Sequence, residues 1–312
     1  MRVYIIQPPI VQCNTPYPSG AYLRSFFLRC AEQFPGRITS VAWHDLNIAL
    51  FHAVFSHDGI AKLFELSSDE ALLQAERAAA RGDRHTAFNL RRYVSQSSAW
   101  TAWISTITAL LCGKAQERRH EFVRSAHVPR GSRMETYLAA LERDVSADDA
   151  RLLASFALAD IADYITAVFD GSFSLVRYAE SLCTESASFD SVVRRLDAPV
   201  LSVYYEPILE SLFSSIAAEL AGGSGIEALC CISVPFAGAF VPALAAARAC
   251  KRRFGGRVCC VLGGGYVNTE LRSMADLEFF SFADVLSYDR GYGSYYALFE
   301  AGLGTAEAAD AE

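Results

Sequence analysis

Short apolar runs that end at proline or glycine constrain the fold of this chain more than any other feature. Three stand out: residues 2–7 before Pro8-Pro9, residues 228–234 before Pro235, and residues 257–262 before three glycines. Proline cannot continue the hydrogen-bond ladder of a strand, so these runs are predicted to be strands that end there. Their continuous apolar character is typical of parallel strands buried on both faces.

Weaker strand patterns at 38–43 and 283–287 extend this set to about five strands, with helical patterns between them. Apolar strands that alternate with helices predict a parallel sheet covered by helices on both sides. The predicted fold class is therefore α/β: a Rossmann-like parallel sheet of about five strands with a large all-helical insertion.

The insertion is the segment from 48 to 195, which has helical periodicity and almost no strand pattern. Within it, Ser67-x-x-Glu70 matches a capping box and predicts a helix start before residue 71. Residues 87–111 and 148–169 are further long helical patterns. The predicted domains are a discontinuous Rossmann-like domain (1–47 and 196–301), the helical insertion (48–195) and a frayed tail (302–312).

Composition argues against several classes of protein. Hydrophobic residues make up 52% of the 312 residues and charged residues 20%. No run of about 18 apolar residues lacks a charge, so no transmembrane span is predicted. With a net charge of −7 and no large basic cluster, the chain is not predicted to bind nucleic acid. Residues 1–12 have a strand pattern rather than that of a signal peptide. The prediction is a cytoplasmic protein that does not contact a membrane.

Nine cysteines are scattered through the chain. Their number is odd, and no pair has the C-x-x-C spacing of local zinc or redox sites. Cys230-Cys231 and Cys259-Cys260 lie in strand patterns, where neighbouring side chains point to opposite faces. Buried, reduced thiols are therefore predicted, as in cytosolic proteins. No metal ligand and no iron–sulfur cluster is predicted in this chain.

Four loops are predicted at the carboxyl ends of the strands, where open parallel sheets bind ligands. They are residues 8–20, 233–236, 263–270 and 289–291. Three glycines in the third loop let backbone N–H groups approach a phosphate or a flat ring. That loop lacks G-x-x-x-x-G-K-[ST] and G-x-G-x-x-G, which disfavours nucleotide hydrolysis and a nicotinamide dinucleotide. Neither G-x-S-x-G nor H-E-x-x-H occurs, and no catalytic residue is predicted.

Several motifs occur in a fixed order along the chain: QPPIVQCNTPYPSGAYL, HDLN, RYAESL followed by SFD, SVPF, and GGGYVNTELRS. In this order they resemble the cobalamin-binding radical S-adenosylmethionine family. In that family an amino-terminal Rossmann-like domain holds cobalamin, and a following barrel carries the C-x-x-x-C-x-x-C motif that ligates an iron–sulfur cluster. The resemblance spans residues 1–312 but covers only the family's amino-terminal part, because the cysteine triad is absent.

The resemblance implies a set of cofactor-binding residues, one group from each loop. One edge of the corrinoid pocket would be lined by Asn14, Thr15, Tyr17 and Ser19. The floor would consist of Ser233, Pro235 and Phe236. The nucleotide tail of cobalamin would contact Gly263, Gly264, Gly265 and Tyr266, with Asn268 as a donor. The pocket would be closed by Asp289 and Gly291.

Two departures from the family pattern affect what this implies. No D-x-H-x-x-G motif occurs, so no histidine is assigned as the lower cobalt ligand. His57, in the sequence SHDG, is predicted to have a surface or capping role. The last loop is YDRGY, where the family has a more acidic stretch.

The resemblance therefore predicts a cobalamin-binding module of a radical S-adenosylmethionine type enzyme, truncated or split from its catalytic half. Such a module would be non-catalytic, and its partner would be a separately encoded radical S-adenosylmethionine barrel. The alternative is a protein–protein interaction module in which the helical insertion binds the partner and the Rossmann-like pocket is vestigial and empty.

Overall fold

A parallel sheet is formed by strands from the beginning and the last third of the chain. The computed structural model of the chain describes residues 1–11, 13, 17–175, 189–220, 222, 225–273 and 276–303. Its strands are β1 (Arg2–Gln7), β2 (Ser40–Asp45), β3 (Ala228–Ser233), β4 (Val258–Gly263) and β5 (Val285–Ser287). They are all parallel and lie in the order β2-β1-β3-β4-β5. The predicted fold class is confirmed.

Thirteen α-helices accompany these strands in the part of the chain that the structure describes. In chain order they are α1 (Ser19–Gln33), α2 (Leu46–Val54), α3 (His57–Ala80), α4 (Arg84–Ser95), α5 (Ser97–Leu111), α6 (Arg119–Arg124), α7 (Ser132–Ala139), α8 (Ala147–Tyr164), α9 (Phe189–Val193), α10 (Glu206–Glu219), α11 (Phe240–Phe254), α12 (Gly265–Glu270) and α13 (Tyr292–Glu300). Single π turns follow α8 at 165–169 and precede α10 at 201–205.

The chain divides into two compact units. The sheet unit comprises residues 1–50 and 176–312, and the helical unit comprises residues 51–175. The helical unit contains no strand. Most of the predicted tail, residues 304–312, lies outside the described residues, as does the RYAESL motif at 177–182.

The two faces of the sheet are covered by different helices of the sheet unit. On one face, alternate residues of the inner strands pack against α1 and α13 in a core rich in aromatic rings. Phe27 is completely buried there, with its ring centroid 4.9 Å from that of Tyr295 and 5.2 Å from that of Phe26. On the other face, α11 packs against β3 and β4, and α10 packs against α11. Strands covered on both sides explain the continuous apolar runs in the sequence.

The predicted helix start at Ser67 is wrong. The helix α3 begins ten residues earlier, where the Ser56 hydroxyl accepts a hydrogen bond of 3.0 Å from the Gly59 N–H. Ser67 is buried inside α3, and its hydroxyl donates to the Leu63 carbonyl at 2.7 Å and bonds to the Tyr164 hydroxyl at 2.9 Å. A serine within a helix can bond back to the preceding turn, so the capping-box pattern alone does not mark a helix start.

The helical pattern over 87–111 corresponds to two helices in the structure, α4 and α5. They are separated at Gln96, which is flanked by serines on both sides. Serine side chains compete for backbone hydrogen bonds and favour helix ends over helix interiors. The apolar periodicity continues across the break, which is why the sequence pattern does not reveal it.

One helical stretch, residues 147–169, is long and apolar enough to cross a membrane by composition. Half of its most apolar window is buried inside the protein. A buried helix in the core of a helical bundle has the same composition, and Leu153, Ala157 and Ile161 of α8 are all buried at helical spacing. This stretch is therefore weak evidence for a membrane span.

The amino-terminal end of α8 carries a complete capping box. The Ser146 hydroxyl accepts from the Asp149 N–H at 3.2 Å, and the Asp149 carboxylate accepts from the Ser146 N–H at 2.8 Å. The same carboxylate pairs with the Arg143 guanidinium and accepts from the Tyr137 hydroxyl. Asp149 therefore ties the start of α8 to the segment before it and to α7.

We expect Asp149 to make the helical unit sensitive to acid. Hydrogen bonds from Arg143, Ser146 and Tyr137 hold the pKa of the Asp149 carboxyl well below its usual 3.8. A depressed folded-state pKa contributes stability above the unfolded pKa, and that stability is lost as the pH falls below it. The difference in free energy of unfolding between wild type and Asp149→Asn should therefore be largest near neutral pH and shrink in acid, measured by urea unfolding across the pH range.

The matched control for this experiment is Asp148→Asn. Asp148 is the neighbouring residue, with its side chain 90% exposed and paired only with Arg151 at 3.2 Å. Exposed pairs contribute little to stability, so this variant should follow the wild type at every pH. A difference for Asp149→Asn that stays constant with pH would contradict the prediction.

Candidate ligand cleft at the carboxyl edge of the sheet

A cleft of about 500 Å³ opens at the carboxyl edge of the sheet. It is lined by the start of α1, by the ends of β3, β4 and β5, and by the loops that follow β4 and β5. The lining residues are Ser19, Tyr22, Leu23, Cys231, Ile232, Ser233, Gly263, Gly264, Gly265, Ser287, Asp289, Arg290, Gly291, Tyr292 and Tyr295. All of them belong to the sheet unit.

The strand order explains why a cleft forms at this edge. From β1 the chain runs to β2 on one side, whereas β3, β4 and β5 follow on the other side. The connections therefore change direction between β1 and β3, and open parallel sheets bind their ligands beyond the strand ends at such a point. Helix α1, which follows β1, and strand β3 meet there through a hydrogen bond of 3.0 Å from the Ser233 hydroxyl to the Ser19 hydroxyl. Ser19 in turn donates to Gln7 at the end of β1, at 3.3 Å.

The structure brings seven of the residues implied by the family resemblance into this cleft. They are Ser19, Ser233, Gly263, Gly264, Gly265, Asp289 and Gly291. They come from four separate stretches of sequence, and the parallel sheet places those stretches side by side at one edge.

Five of the other implied residues are described but do not line the cleft. Tyr17 and Phe236 make an edge-to-face ring contact with centroids 5.9 Å apart. Tyr266 packs near Phe240, at 5.2 Å between ring centroids. Pro235 is buried. The last two of the implied residues, Asn14 and Thr15, lie outside the described residues.

Asn268 connects two loops of the sheet unit rather than lining the cleft. Its side-chain carbonyl accepts from the Asp289 N–H at 2.8 Å and from the Arg272 guanidinium at 2.8 Å. Arg272 also pairs with the Asp289 carboxylate. Asp289 has a left-handed backbone, with φ of 57°, so this network holds the last loop in an unusual conformation.

The three glycines allow close packing between loops. A Cβ on Gly264 would lie 2.5 Å from the Val234 carbonyl oxygen, and the φ of Gly264 is +114°. A Cβ on Gly265 would lie 2.9 Å from the Pro235 carbonyl oxygen. The two loops are also joined by hydrogen bonds, from the Val234 N–H to the Gly263 carbonyl at 2.6 Å and from the Tyr266 N–H back to Val234 at 3.1 Å. Glycine is therefore required at 264 and 265 by the protein's own backbone, before any ligand is considered.

The cleft also contains residues that the family resemblance did not assign, among them Ser287 and Arg290. Ser287 is 2% exposed, and its hydroxyl has no hydrogen-bond partner among the described residues. A buried polar group without a partner is costly, and such a group in a cleft is available to a ligand. Arg290 is exposed at the cleft rim. Arg290 lies within the loop 289–291 that the sequence singled out, and Ser287 is the last residue of the predicted strand 283–287, so the sequence could have indicated both.

The electrostatics of the cleft favour a negatively charged group. Helices α1 and α13 both begin at its wall, at Ser19 and Tyr292. Helix amino termini carry a partial positive charge, and the Arg290 guanidinium adds a full one. The carboxylate of Asp289 is already paired with Arg272.

The described cleft residues include no histidine, and no nucleophile lies beside a base among them. Comparisons of the chain with protein-family models, with curated proteins and with solved structures found no match.

Proposed function

We propose that the sheet unit binds cobalamin in the cytoplasm, as the cofactor-binding module of a radical S-adenosylmethionine type enzyme whose barrel is a separate chain. The observation that carries the proposal is the Ser287 hydroxyl, which is buried in the cleft and has no hydrogen-bond partner within the described part of the chain. This hydroxyl lies beside the strand ends where open parallel sheets bind ligands.

The charge of the cleft fits the phosphodiester in the nucleotide tail of cobalamin. Two helix amino termini and Arg290 surround the site, and they would stabilise a phosphate. The volume of about 500 Å³ is within the range of sites for small organic ligands. It suits the nucleotide tail and not the larger corrin ring, which would lie outside the cleft, over the loops.

In this proposal the chain binds and orients the cofactor. Bound cobalamin would supply radical or group-carrier chemistry. Ser287 and Arg290 would hold the nucleotide tail. The hydrogen bond between Ser19 and Ser233 would keep the start of α1 and the end of β3 in place beside that tail. No imidazole among the described cleft residues is placed to ligate cobalt.

The test compares two corrinoids on the full chain: hydroxocobalamin, and cobinamide, which lacks the nucleotide tail. We expect hydroxocobalamin to bind at one per chain and cobinamide to bind more weakly, measured by the corrin absorption band after gel filtration. Ser287→Ala should weaken hydroxocobalamin binding roughly tenfold, the value of one hydrogen bond to a charged group. It should not weaken cobinamide binding, because the missing contact is made to the tail.

The matched control is Ser281→Ala, an exposed serine of the same unit outside the cleft. Both variants should remain folded, since Ser287→Ala removes a buried hydroxyl that has no hydrogen-bond partner in the portion of the chain that the structure describes. Equal loss of both corrinoids in Ser287→Ala would contradict the placement of the tail. A wild-type chain that binds neither corrinoid would overturn the proposal and favour the alternative, a protein–protein interaction module with an empty pocket.

A further inference from the structure

A cluster of three thiols lies on the face of the sheet opposite the aromatic core, and the proposed cobalamin site does not use it. Cys230 of β3 and Cys260 of β4 are direct partners in the parallel register. Cys250 reaches them from α11, which packs on these two strands. The three Sγ atoms lie within 4.8 Å of one another. Each residue is at most 1% exposed.

The thiols interact with each other and with one further buried group. Hydrogen bonds from Cys230 and Cys260 lower the pKa of the Cys250 thiol. Tyr205 is completely buried near the cluster, close enough to interact electrostatically with Cys230, and its hydroxyl has no hydrogen-bond partner among the described residues. The cluster therefore contains three sulfur donors in water-excluded surroundings.

The donor set selects the kind of ion. Within the described residues no carboxylate or imidazole joins the three sulfurs, so a zinc ion would lack the fourth protein ligand of a structural zinc site. Net charge in a buried site is costly. Three thiolates around a divalent ion leave one negative charge, and around a monovalent ion they leave two. Around a trivalent ion they leave none.

We propose that Cys230, Cys250 and Cys260 form a binding site for trivalent arsenic, taken up as arsenite. Arsenous acid, As(OH)₃, reacts with three thiols to give As(SR)₃ and three water molecules. Three As–O bonds break and three As–S bonds form, each thiol proton leaves with a hydroxide as water, and no atom changes oxidation state. The product is neutral and three-coordinate, which matches the charge and the ligand number of the cluster.

The experiment adds arsenite to the full chain reduced with a phosphine, which contributes no competing thiol. Native mass spectrometry should show one arsenic atom gained and three protons lost. Arsenic X-ray absorption on the wild-type complex should show three sulfur neighbours and no oxygen. Cys250→Ala leaves two thiols, and its affinity should fall about a hundredfold or more, because the third bond is formed within the same molecule.

The matched control is Cys231→Ala. Cys231 is the strand neighbour of Cys230 and is equally buried, but its side chain lies in the aromatic core on the opposite face. This variant should bind arsenite as the wild type does. Two sulfur neighbours and an oxygen in the wild-type spectrum would overturn the proposal, whatever the variants do. So would equal loss in Cys231→Ala, or tighter binding of Zn²⁺ or Cu⁺ than of arsenite to the same thiols. Cobalamin binding bears on none of these outcomes.

Discussion

Phe27→Ala is expected to lower the free energy of unfolding by about 3–5 kcal/mol, the range for removing a buried phenylalanine side chain. The Phe27 ring is completely buried between the sheet and the rings of Phe26, Tyr295 and Phe299, whose centroids lie 4.9 to 6.3 Å away. These three neighbouring rings cannot all move to fill the cavity that the Phe27 side chain would leave. Urea unfolding of the full chain, followed by the fluorescence of the sheet unit's Trp43, measures the effect.

Leu277→Ala is the control for this substitution. The Leu277 side chain is 80% exposed in the same unit, and surface substitutions usually change stability by about 0.5 kcal/mol or less. If Phe27→Ala cost no more than this control, the packing of α1 and α13 on the sheet would be wrong.

Gly264→Ala is expected to lower the free energy of unfolding by about 2–5 kcal/mol, because backbone strain and a steric clash add together. The φ of +114° is unfavourable for any residue with a Cβ, and that Cβ would lie 2.5 Å from the Val234 carbonyl oxygen. The clash is with backbone, so a side-chain rotation cannot relieve it. Thermal unfolding of the purified variant measures the loss.

A second glycine of the sheet unit provides the control. Gly293 lies in α13, and a Cβ added there would meet nothing within 4 Å. Alanine is favoured over glycine within a helix, so Gly293→Ala should stabilise the protein by about 0.5–1 kcal/mol. Similar melting temperatures for the two variants would show that the loop after β4 is free to adjust.

Gly264 also shows what sequence reasoning can and cannot predict. The position of the glycines after a strand was predictable, because a run that ends at such residues marks the carboxyl edge of a sheet. The packing of Gly264 against Val234 was not, since it depends on β3 and β4 being neighbours in the sheet. A bulky side chain at 264 would thus disturb the fold as well as the cleft, and Ser287 is the better position at which to test ligand binding.

Strands were more predictable than helix ends. Proline and glycine stop a strand by simple sterics, and the five strands lie within about three residues of their predicted positions, an error expected for boundaries. Helix ends depend on single hydrogen bonds, such as those of Ser56 and Ser67, which a short motif does not fix.

The thiol cluster was beyond the reach of sequence spacing. Cys230 and Cys231 do point to opposite faces of the sheet, as the strand pattern predicts. The pattern does not predict the register between strands, which places Cys230 beside Cys260. It also does not predict the rotation of α11 about its axis, which brings Cys250 to the other two thiols. Metal ligands that come from three distant elements have no local motif.

The insertion of the helical unit between β2 and β3 determines the order in which the chain can fold during synthesis. Strand β3 pairs with β1 on the inner side of the sheet, with Arg2 opposite Ala228. It leaves the ribosome only after the whole helical unit has been made. Helices joined by local contacts form quickly, whereas pairing between strands distant in sequence is slow. The nascent chain therefore carries a completed helical unit while one edge of its first apolar strand is still open, and unpaired strand edges are where aggregation begins. Premature termination before β3 would leave that edge open permanently.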